Sequence, residues 1–429
     1  MITRIEATNY RCLRNVSQGL GEFHVIAGPN GSGKSTFLEV LVVLGAFATD
    51  GLETLWLESR VSQFEELLFC RQGRSFALAV EIKVPDETLD KLKRKNGNRK
   101  QFVRYEVEVG RAAYPKTAGQ PTPEREIQIL AENLWLVEHP VDVTRADVVQ
   151  SEFAFPSASV ADRSVIHASA PKGWRKVASK SHAGNAYFRS ETGDWNFTLK
   201  NPAGRSALST LPEDERFGVA NWAKQMLASS VQKLMLRSEV MQKACGPLKE
   251  RRFLPDGSTL PLVVASLRKD EARFQPWLDH VRTVLPITDI RVVEREDDKH
   301  SYLVATYESG VAVPSWHLSD GTLRLLALTL LPYLPSAGGI YLIEEPENGI
   351  HPQGVEAVFQ SLSSIYGGQA LVATHSPVLV GLISPKQLLC FSRTAAGETD
   401  IVRGDAHPRL KEWQGKFNLA QLFAAGVLS

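Results

Sequence analysis

The chain has 429 residues, of which 43% are apolar and 23% charged, a balance typical of folded globular proteins. A formal net charge of +1 excludes nucleic-acid binding through overall charge, so any basic surface must be local. No apolar run approaches the roughly 20 residues that a membrane-spanning helix needs. The cysteines are too far apart for a C-x-x-C pair, which predicts reduced thiols and a cytoplasmic location. They are Cys12, Cys70, Cys245 and Cys390.

A phosphate-binding loop lies near the N-terminus. The apolar segment Phe23–Ala27 predicts a buried strand, and residues 36–44 predict a helix. Between them, the sequence has the P-loop spacing G-x-x-x-x-G-K-[ST]. Its glycines let backbone N–H groups surround a β-phosphate, its lysine reaches the β- and γ-phosphates, and its serine hydroxyl binds Mg²⁺. We therefore expect a nucleoside triphosphate to contact Asn30, Gly31, Ser32, Gly33, Lys34, Ser35 and Thr36.

Two segments after this helix alternate apolar and polar residues. Residues 76–84 and 103–109 have the period of two that predicts antiparallel strands with one solvent-exposed face. Between them, the run Lys91–Lys100 is too basic to lie in a core and indicates a hairpin tip. This run and five later residues, four of them basic, either grip a nucleic-acid backbone or are ordinary solvated loops. The later residues are Lys172, Trp174, Arg175, Lys176 and Lys180.

The sequence pattern divides the chain into three zones. We expect an N-terminal lobe in residues 1–135, an inserted loop-rich and helical region in 136–285, and a C-terminal lobe in 286–429. In the insertion, residues up to 210 resemble loops, whereas the apolar residues between Glu213 and Gln242 fall mostly on one face of a helix. A further helix is predicted over residues 274–285. No sustained heptad pattern is present, which argues against a long coiled-coil arm.

A second anion-binding motif precedes an apolar helix in the last zone. In the stretch 317–324, Ser319 and Gly321 would place a hydroxyl and bare N–H groups at the N-terminus of this helix. One chain does not need two such sites for one phosphate. Two chains facing head to tail do, because each can close the nucleotide site of the other.

Two predicted strands then end in polar side chains. Residues 340–343 are apolar and are followed by Glu344 and Glu345, the arrangement of a Walker B strand. In that arrangement the first carboxylate lies near the metal, and the second orients the attacking water. Residues 371–373 predict another strand, which ends in Thr374 and His375. A histidine at this position could bond to the γ-phosphate and report whether ATP or ADP is bound.

In this order, the P-loop, the L-S-x-G helix start, the acidic strand and the T-H strand resemble an ABC-type ATPase head. The resemblance is to the RecF, SMC and OLD-like branch, often described as AAA-family ATP-binding proteins, and covers residues 1–135 and 286–395. It implies an α/β fold with a mixed sheet flanked by helices, an antiparallel β subdomain and an inserted, mainly helical region. It also implies ATP and Mg²⁺ as ligands and a homodimer through the nucleotide sites.

The resemblance implies a role for individual residues. The catalytic residues would be Lys34, Glu345 and His375. The residues near Mg²⁺ would be Ser35, Glu344 and, as a metal-sensing glutamine, Gln63. Arg11 would lie near the phosphates, while Ser319 and Gly321 would meet the γ-phosphate bound by the partner chain.

Two positions depart from the family pattern. Glu344 stands where most members have Asp, and its longer side chain must shift the metal or the strand. Asp320 gives L-S-D-G rather than L-S-G-G, a form typical of the stand-alone RecF/OLD-like members. We therefore expect slow hydrolysis.

The implied activity is a conformational switch, in which ATP favours the dimer and hydrolysis releases it. The leading hypothesis is control of a separately encoded nuclease or toxin in bacterial antiviral defence. The alternatives are a RecF-like DNA repair ATPase that acts directly on DNA and an ATP-bound scaffold that does not hydrolyse. The apolar C-terminal stretch Trp413–Phe423 either docks a partner or packs on the head.

Overall fold

The computed structural model describes residues 1–59, 61–90, 100–111, 127–140, 155–156, 164–181, 184–247, 252–334, 339–412 and 418–428. Residues 91–99 of the basic run and residues 413–417 of the C-terminal stretch lie outside this part of the chain.

The first strands are β1 Ile2–Tyr10, β2 Leu13–Gly19, β3 Phe23–Ala27, β4 Ser75–Lys83, β5 Phe102–Arg111, β6 Ile127–Val137, β7 Arg175–Ser181, β8 Asn185–Arg189 and β9 Asn196–Lys200. The later strands are β10 Val231–Leu234, β11 Ile287–Glu294, β12 Ser301–Tyr307, β13 Ala312–Pro314, β14 Ile340–Glu344, β15 Gln369–Thr374, β16 Leu388–Arg393 and β17 Thr399–Arg403.

The helices surround and separate the sheets. In the first half of the chain they are α1 Lys34–Thr49, α2 Leu52–Ser59, α3 Asp86–Asp90, α4 Gly218–Gln225 and α5 Ser238–Met241. In the second half they are α6 Leu260–Leu267, α7 Glu271–Arg282, α8 Asp320–Leu330, α9 Pro352–Ser363, α10 Pro377–Gly381, α11 Pro408–Glu412 and α12 Leu419–Ala424. Among the described residues, no helix is long and apolar enough to cross a membrane.

The central sheet has six strands in the order β10-β14-β15-β3-β16-β17, and all neighbours are parallel except β16 and β17. Both faces of this sheet are buried. Ile26 and Leu342 belong to one hydrophobic core, whereas their neighbours Val25 and Ile343 belong to the other. This explains why its strands read as continuous apolar runs, since a parallel sheet is covered on both sides.

An antiparallel sheet of eight strands has the order β2-β1-β4-β5-β6-β7-β8-β9. Strands β4 and β5 were expected to have one solvent-exposed face, and this prediction was wrong. Ala77 and Ala79 on the second face of β4 are buried against Val165. On β5, Arg104 and Glu106 are buried and form an ion pair with an N–O distance of 2.6 Å. The charged residues that suggested solvent exposure are therefore paired inside the protein.

The region 136–285 contributes strands to two sheets. Strands β7 to β9 extend the antiparallel sheet in a segment that we expected to be loops. The single helix expected from Glu213 to Gln242 is also wrong: α4 continues as a π-helical turn, Met226–Ser230, and then becomes strand β10. Strand β10 pairs in parallel with β14, so pairing between distant segments overrides the helical pattern. The helix predicted over residues 274–285 is present as α7.

Strands β11 to β13 form a small antiparallel sheet just before α8. At the C-terminus, α12 packs against α10, and Leu422 is buried in the second hydrophobic core. This part of the C-terminal stretch therefore packs on the head.

Candidate nucleotide-binding site

The P-loop connects β3 to α1 at the carboxyl edge of the central sheet. Gly31 and Gly33 have φ angles of 74° and 99°, the left-handed region that favours glycine. At Gly28, a Cβ atom would lie 2.3 Å from the backbone oxygen of Phe391, so only glycine fits. The loop opens on a pocket of about 210 Å³. The pocket is lined by Cys12, Asn30, Gly31, Gly33, Lys34, Ser35, Thr36, Glu344, Glu345, Ala373 and His375.

Lys34 is folded back on its own loop. Its Nζ atom donates hydrogen bonds to the carbonyl oxygens of Gly28 and Pro29, each at 2.9 Å. Burial lowers the pKa of Lys34 to about 8, although the negative charges of Glu345 and Glu344 raise it. A phosphate group in the pocket would add negative charge beside this ammonium group and offer it stronger acceptors than the two carbonyls.

Glu344, the last residue of β14, contacts two side chains with its two carboxylate oxygens. The Ser35 hydroxyl donates to Oε2 at 2.7 Å, and the Lys233 Nζ lies 2.8 Å from Oε1. Burial tends to raise the pKa of Glu344, but the hydrogen bonds from Lys233 and Ser35 outweigh it and lower this pKa. The carboxylate is therefore ionised at neutral pH. Lys233 lies on β10 and was missed in the sequence, where this segment was predicted to be a helix.

Glu345 follows in a left-handed backbone conformation, with a φ angle of 47° that is unfavourable for glutamate. Its N–H donates to the Ala373 oxygen on β15 at 2.8 Å, which fixes this turn. Its side chain accepts a hydrogen bond from Asn348, and its Oε1 lies 3.9 Å from Nε2 of His375. Such strain is often held at functional sites.

His375 enters the pocket from the end of β15. Burial, and then the positive charge of Lys34, lower its pKa below the usual value near 6.5. The ring is therefore neutral at pH 7. Its backbone N–H donates to Oε1 of Glu347 at 3.3 Å, and the Thr374 hydroxyl donates to the same oxygen at 2.5 Å. Glu347, which sequence reasoning missed, thus ties the turn after β14 to the end of β15.

The rear of the P-loop is held by β17. The Thr399 hydroxyl donates to the Ser32 carbonyl oxygen at 2.9 Å, and the Thr399 N–H donates to the Cys12 carbonyl oxygen at 2.9 Å. Ser32 is fully buried and does not line the pocket, unlike the other predicted loop residues. No sequence motif indicated Thr399, because its role depends on the fold alone.

Two predicted residues lie away from this pocket. Arg11 pairs with Glu39 at 3.0 Å and lines a groove of about 1410 Å³ that runs along α1 and meets the pocket at Cys12. Gln63 is exposed before a short 3-10 turn and lines neither the pocket nor the groove. Its assignment as a metal sensor is not supported. Beside β14, on the side opposite β15, lies β10, whose Lys233 contacts Glu344.

Ser319 and Gly321 lie at the N-terminus of α8, as predicted, but they do not line the pocket of their own chain. The Ser319 hydroxyl accepts a hydrogen bond from the Thr322 N–H at 3.2 Å and caps the helix. A Cβ atom on Gly321 would lie 2.2 Å from the Gly349 oxygen. Packing within the chain therefore requires glycine at this position, whatever else Gly321 contacts.

Of the later residues, Lys172 is exposed, whereas Trp174, Arg175, Lys176 and Lys180 make internal contacts. Lys180 is buried, and its Nζ donates to several backbone carbonyls, while burial lowers its pKa to about 8. Lys176 lies over the ring of Trp135 at 4.5 Å, and Arg175 donates to the Ser190 oxygen. Trp174 packs edge-on against Trp135. These four residues therefore do not form an open basic surface for a nucleic acid.

The residues of the pocket fit the ligands that the sequence implies. The Ser35 hydroxyl and the Glu344 carboxylate are 2.7 Å apart and supply the oxygen ligands that Mg²⁺ prefers. The glycine-rich turn before α1 offers backbone N–H groups and the positive end of the helix dipole to a phosphate.

Comparisons with known proteins agree with this geometry. The sequence model of a family described as "AAA domain, putative AbiEii toxin, Type IV TA system" matches residues 176–381, which include β10, the start of α8, the acidic strand and His375. A solved structure of the SmcHead bound to the C-winged helix domain of ScpA is 14% identical, with a TM-score of 0.52, and covers 94% of this chain and 96% of its own. The chain therefore shares the fold of this SMC head, and residues 176–381 match the AAA-domain family.

Two further solved structures resemble the chain over a similar length. One is an Smc head domain with an extended coiled coil, bound to the C-terminal domain of ScpA derived from Pyrococcus furiosus, with 12% identity, a TM-score of 0.49 and coverage of 94% and 95%. The other is an SMC head domain from Thermotoga maritima, with 11% identity, a TM-score of 0.41 and coverage of 94% and 98%. No curated protein matches the chain.

Proposed function

We propose that this chain is an ABC-type ATPase head that binds Mg²⁺ and ATP, closes head to tail on a second copy of itself and hydrolyses the nucleotide. One observation carries the proposal. Lys34, Glu345 and His375 lie far apart in the sequence, but they line one pocket at the carboxyl ends of three adjacent parallel strands. Catalytic side chains of α/β proteins commonly gather at this edge.

Binding would exchange hydrogen bonds at the P-loop. Lys34 would leave the carbonyl oxygens of Gly28 and Pro29 for the β- and γ-phosphates, while the N-terminus of α1 receives the phosphates. Ser35 and Glu344 would hold Mg²⁺, which supplies charge neutralisation on the phosphate oxygens. The groove that adjoins the pocket at Cys12 leaves room for the rest of the nucleotide.

In the chemical step, Glu345 would accept a proton from a water molecule that attacks the γ-phosphorus. The bond to the bridging oxygen of ADP breaks, and ADP and phosphate leave. The contacts of Glu345 with Asn348 and His375 orient its carboxylate for this step. His375, being neutral, can donate one hydrogen bond to the γ-phosphate while its backbone is held by Glu347.

Ser319 and the N-terminus of α8 would act on the nucleotide of the second copy. They lie at a helix N-terminus, where anions are favoured, and they do not line the pocket of their own chain. Dimerisation would then depend on ATP, and hydrolysis would reverse it.

The task of this switch would be control of a separately encoded nuclease or toxin in bacterial antiviral defence. The description of the matched family names a putative AbiEii toxin and a type IV toxin–antitoxin system, and this link to toxin systems is the basis of the proposed task. The free cysteines fit a cytoplasmic location, where thiols stay reduced.

The proposal is tested by measuring nucleotide binding and phosphate release on three variants. Lys34→Ala should lose both, because the pocket loses its phosphate-binding cation. Glu345→Gln should keep binding but release phosphate about 100-fold more slowly or worse, the loss expected for a general base. The matched control Glu308→Gln, at an exposed position outside the pocket lining, should behave as the wild type. Equal phosphate release by Glu345→Gln and the wild type would instead indicate an ATP-bound scaffold.

A further inference from the structure

Glu344 is held by a lysine that belongs to none of the motifs of the site. Lys233 lies opposite Leu342 in the parallel register of β10 and β14, and its Nζ is 2.8 Å from Oε1 of Glu344. Both side chains are about 30% exposed, so the pair is partly shielded from water. Ser35 occupies the other oxygen, Oε2, so each carboxylate oxygen has its own partner.

The length of Glu344 makes this arrangement possible. Aspartate, which most of the family has here, is one methylene shorter than glutamate. The longer side chain contacts Ser35 on α1 and Lys233 on β10 at the same time. The departure from the family pattern is therefore linked to a specific partner in this chain.

Among the residues that line the pocket, together with Lys233, positive and negative charges are equal in number. The charged pocket-lining residues are Lys34, Glu344 and Glu345, and Lys233 adds the second positive charge. A divalent cation alone would enter a site with no net negative charge and would compete with an ammonium group for Glu344. The phosphates of ATP bring the negative charge that is missing.

We propose that Lys233 is a positioning residue that holds Glu344 as a resident counter-ion, so that Mg²⁺ binds only together with the nucleotide. This inference rests on the proposed function, because it concerns the same metal site. Binding of the cation in the absence of ATP would be weak in the wild type. Replacing Lys233 with a neutral side chain leaves the pocket with net negative charge and opens it to the metal alone.

The test uses Mn²⁺ alone as the probe, with the free-ion signal followed by electron paramagnetic resonance on the whole chain without nucleotide. Lys233→Met should bind Mn²⁺ about tenfold more tightly than the wild type, the effect of one unit charge beside a divalent ion even when strongly screened. Lys233→Arg keeps the charge and should bind as the wild type does. Lys243→Met, which removes an exposed lysine that does not line the pocket, is the matched control and should have no effect.

A second pair of variants tests the direct contact. In a Glu344→Asp background the carboxylate ligand for the metal is kept, but its shorter side chain contacts Lys233 less closely. Adding Lys233→Met to this background should therefore raise the Mn²⁺ affinity by clearly less than tenfold. An equal gain in both backgrounds, or unchanged Mn²⁺ affinity in Lys233→Met with the thermal unfolding temperature preserved, would overturn the inference. If the wild type binds Mg-ATP but the expected Mn²⁺ affinities are not observed, only the role of Lys233 is wrong. If it binds no Mg-ATP at all, the proposed function fails first.

Discussion

The largest stability effect is expected at Glu106, inside the antiparallel sheet. Its carboxylate accepts hydrogen bonds from Arg104 at 2.6 Å, from the backbone N–H of His167 at 3.0 Å and from Trp135 at 3.1 Å. Burial raises the pKa of Glu106, but these partners, His167 and Arg104 above all, outweigh it and hold the pKa at about 2 instead of 4.5. That difference corresponds to about 3 kcal/mol of folding free energy at neutral pH.

Glu106→Gln should therefore destabilise the protein by about 3–5 kcal/mol at pH 7, because it leaves Arg104 buried with less compensating charge. The pH dependence has a defined sign. Since the folded-state pKa lies below the unfolded value, the carboxylate stabilises the fold above pH 4.5 and loses this effect as the pH falls towards 2.

The assay is urea unfolding of the wild type, Glu106→Gln and the exposed control Glu308→Gln at several pH values. The difference between wild type and Glu106→Gln should be largest at pH 7 and shrink by pH 3, whereas Glu308→Gln should follow the wild type throughout. A difference below about 1 kcal/mol at pH 7, the range of an ordinary surface pair, would refute the reasoning. So would a difference that does not change with pH.

Two further predictions concern the supports of the site. Gly321→Ala should lower stability by about 1–3 kcal/mol without nucleotide, because its Cβ would meet the Gly349 oxygen at 2.2 Å. Gly218→Ala, with open space around its Cβ, is the control, and equal thermal unfolding temperatures for both would contradict the packing argument. Thr399→Val removes the hydrogen bond to the buried Ser32 carbonyl and should cost about 1–3 kcal/mol as well as ATP affinity. Unchanged affinity in a nucleotide titration would show that this contact does not shape the P-loop.

The residues at the centre of the pocket could be located from the sequence because local signals fix them. Lys34 follows a buried strand and a glycine-rich turn, and Glu345 and His375 follow two other strongly apolar strands. Parallel neighbours bring these strand ends to one edge. The pocket follows from the pairing of these three strands.

Most features that were predicted wrongly or overlooked share a different cause, since they depend on pairing between distant segments. Val231–Leu234 is only a four-residue strand after a helical segment, so nothing local distinguishes it from more helix, and Lys233 was missed with it. Glu106 suggested a solvent-exposed face because the alternation of apolar and polar residues does not reveal that Arg104 and His167 are its partners. Gln63 was a candidate for a glutamine loop whose register little in the sequence fixes, and in the structure it lies outside the pocket lining.

The most direct test of the central claim is the light-scattering mass of Glu345→Gln with and without Mg-ATP. Replacing the proposed base should trap the closed state, so the account predicts a monomer without nucleotide and an ATP-dependent doubling of mass. Adding Ser319→Arg, which places a bulky side chain at the N-terminus of α8, should abolish the doubling while each chain still binds ATP. A mass that stays monomeric with ATP bound would contradict the head-to-tail dimer and the role of Ser319 and Gly321 in the partner's site.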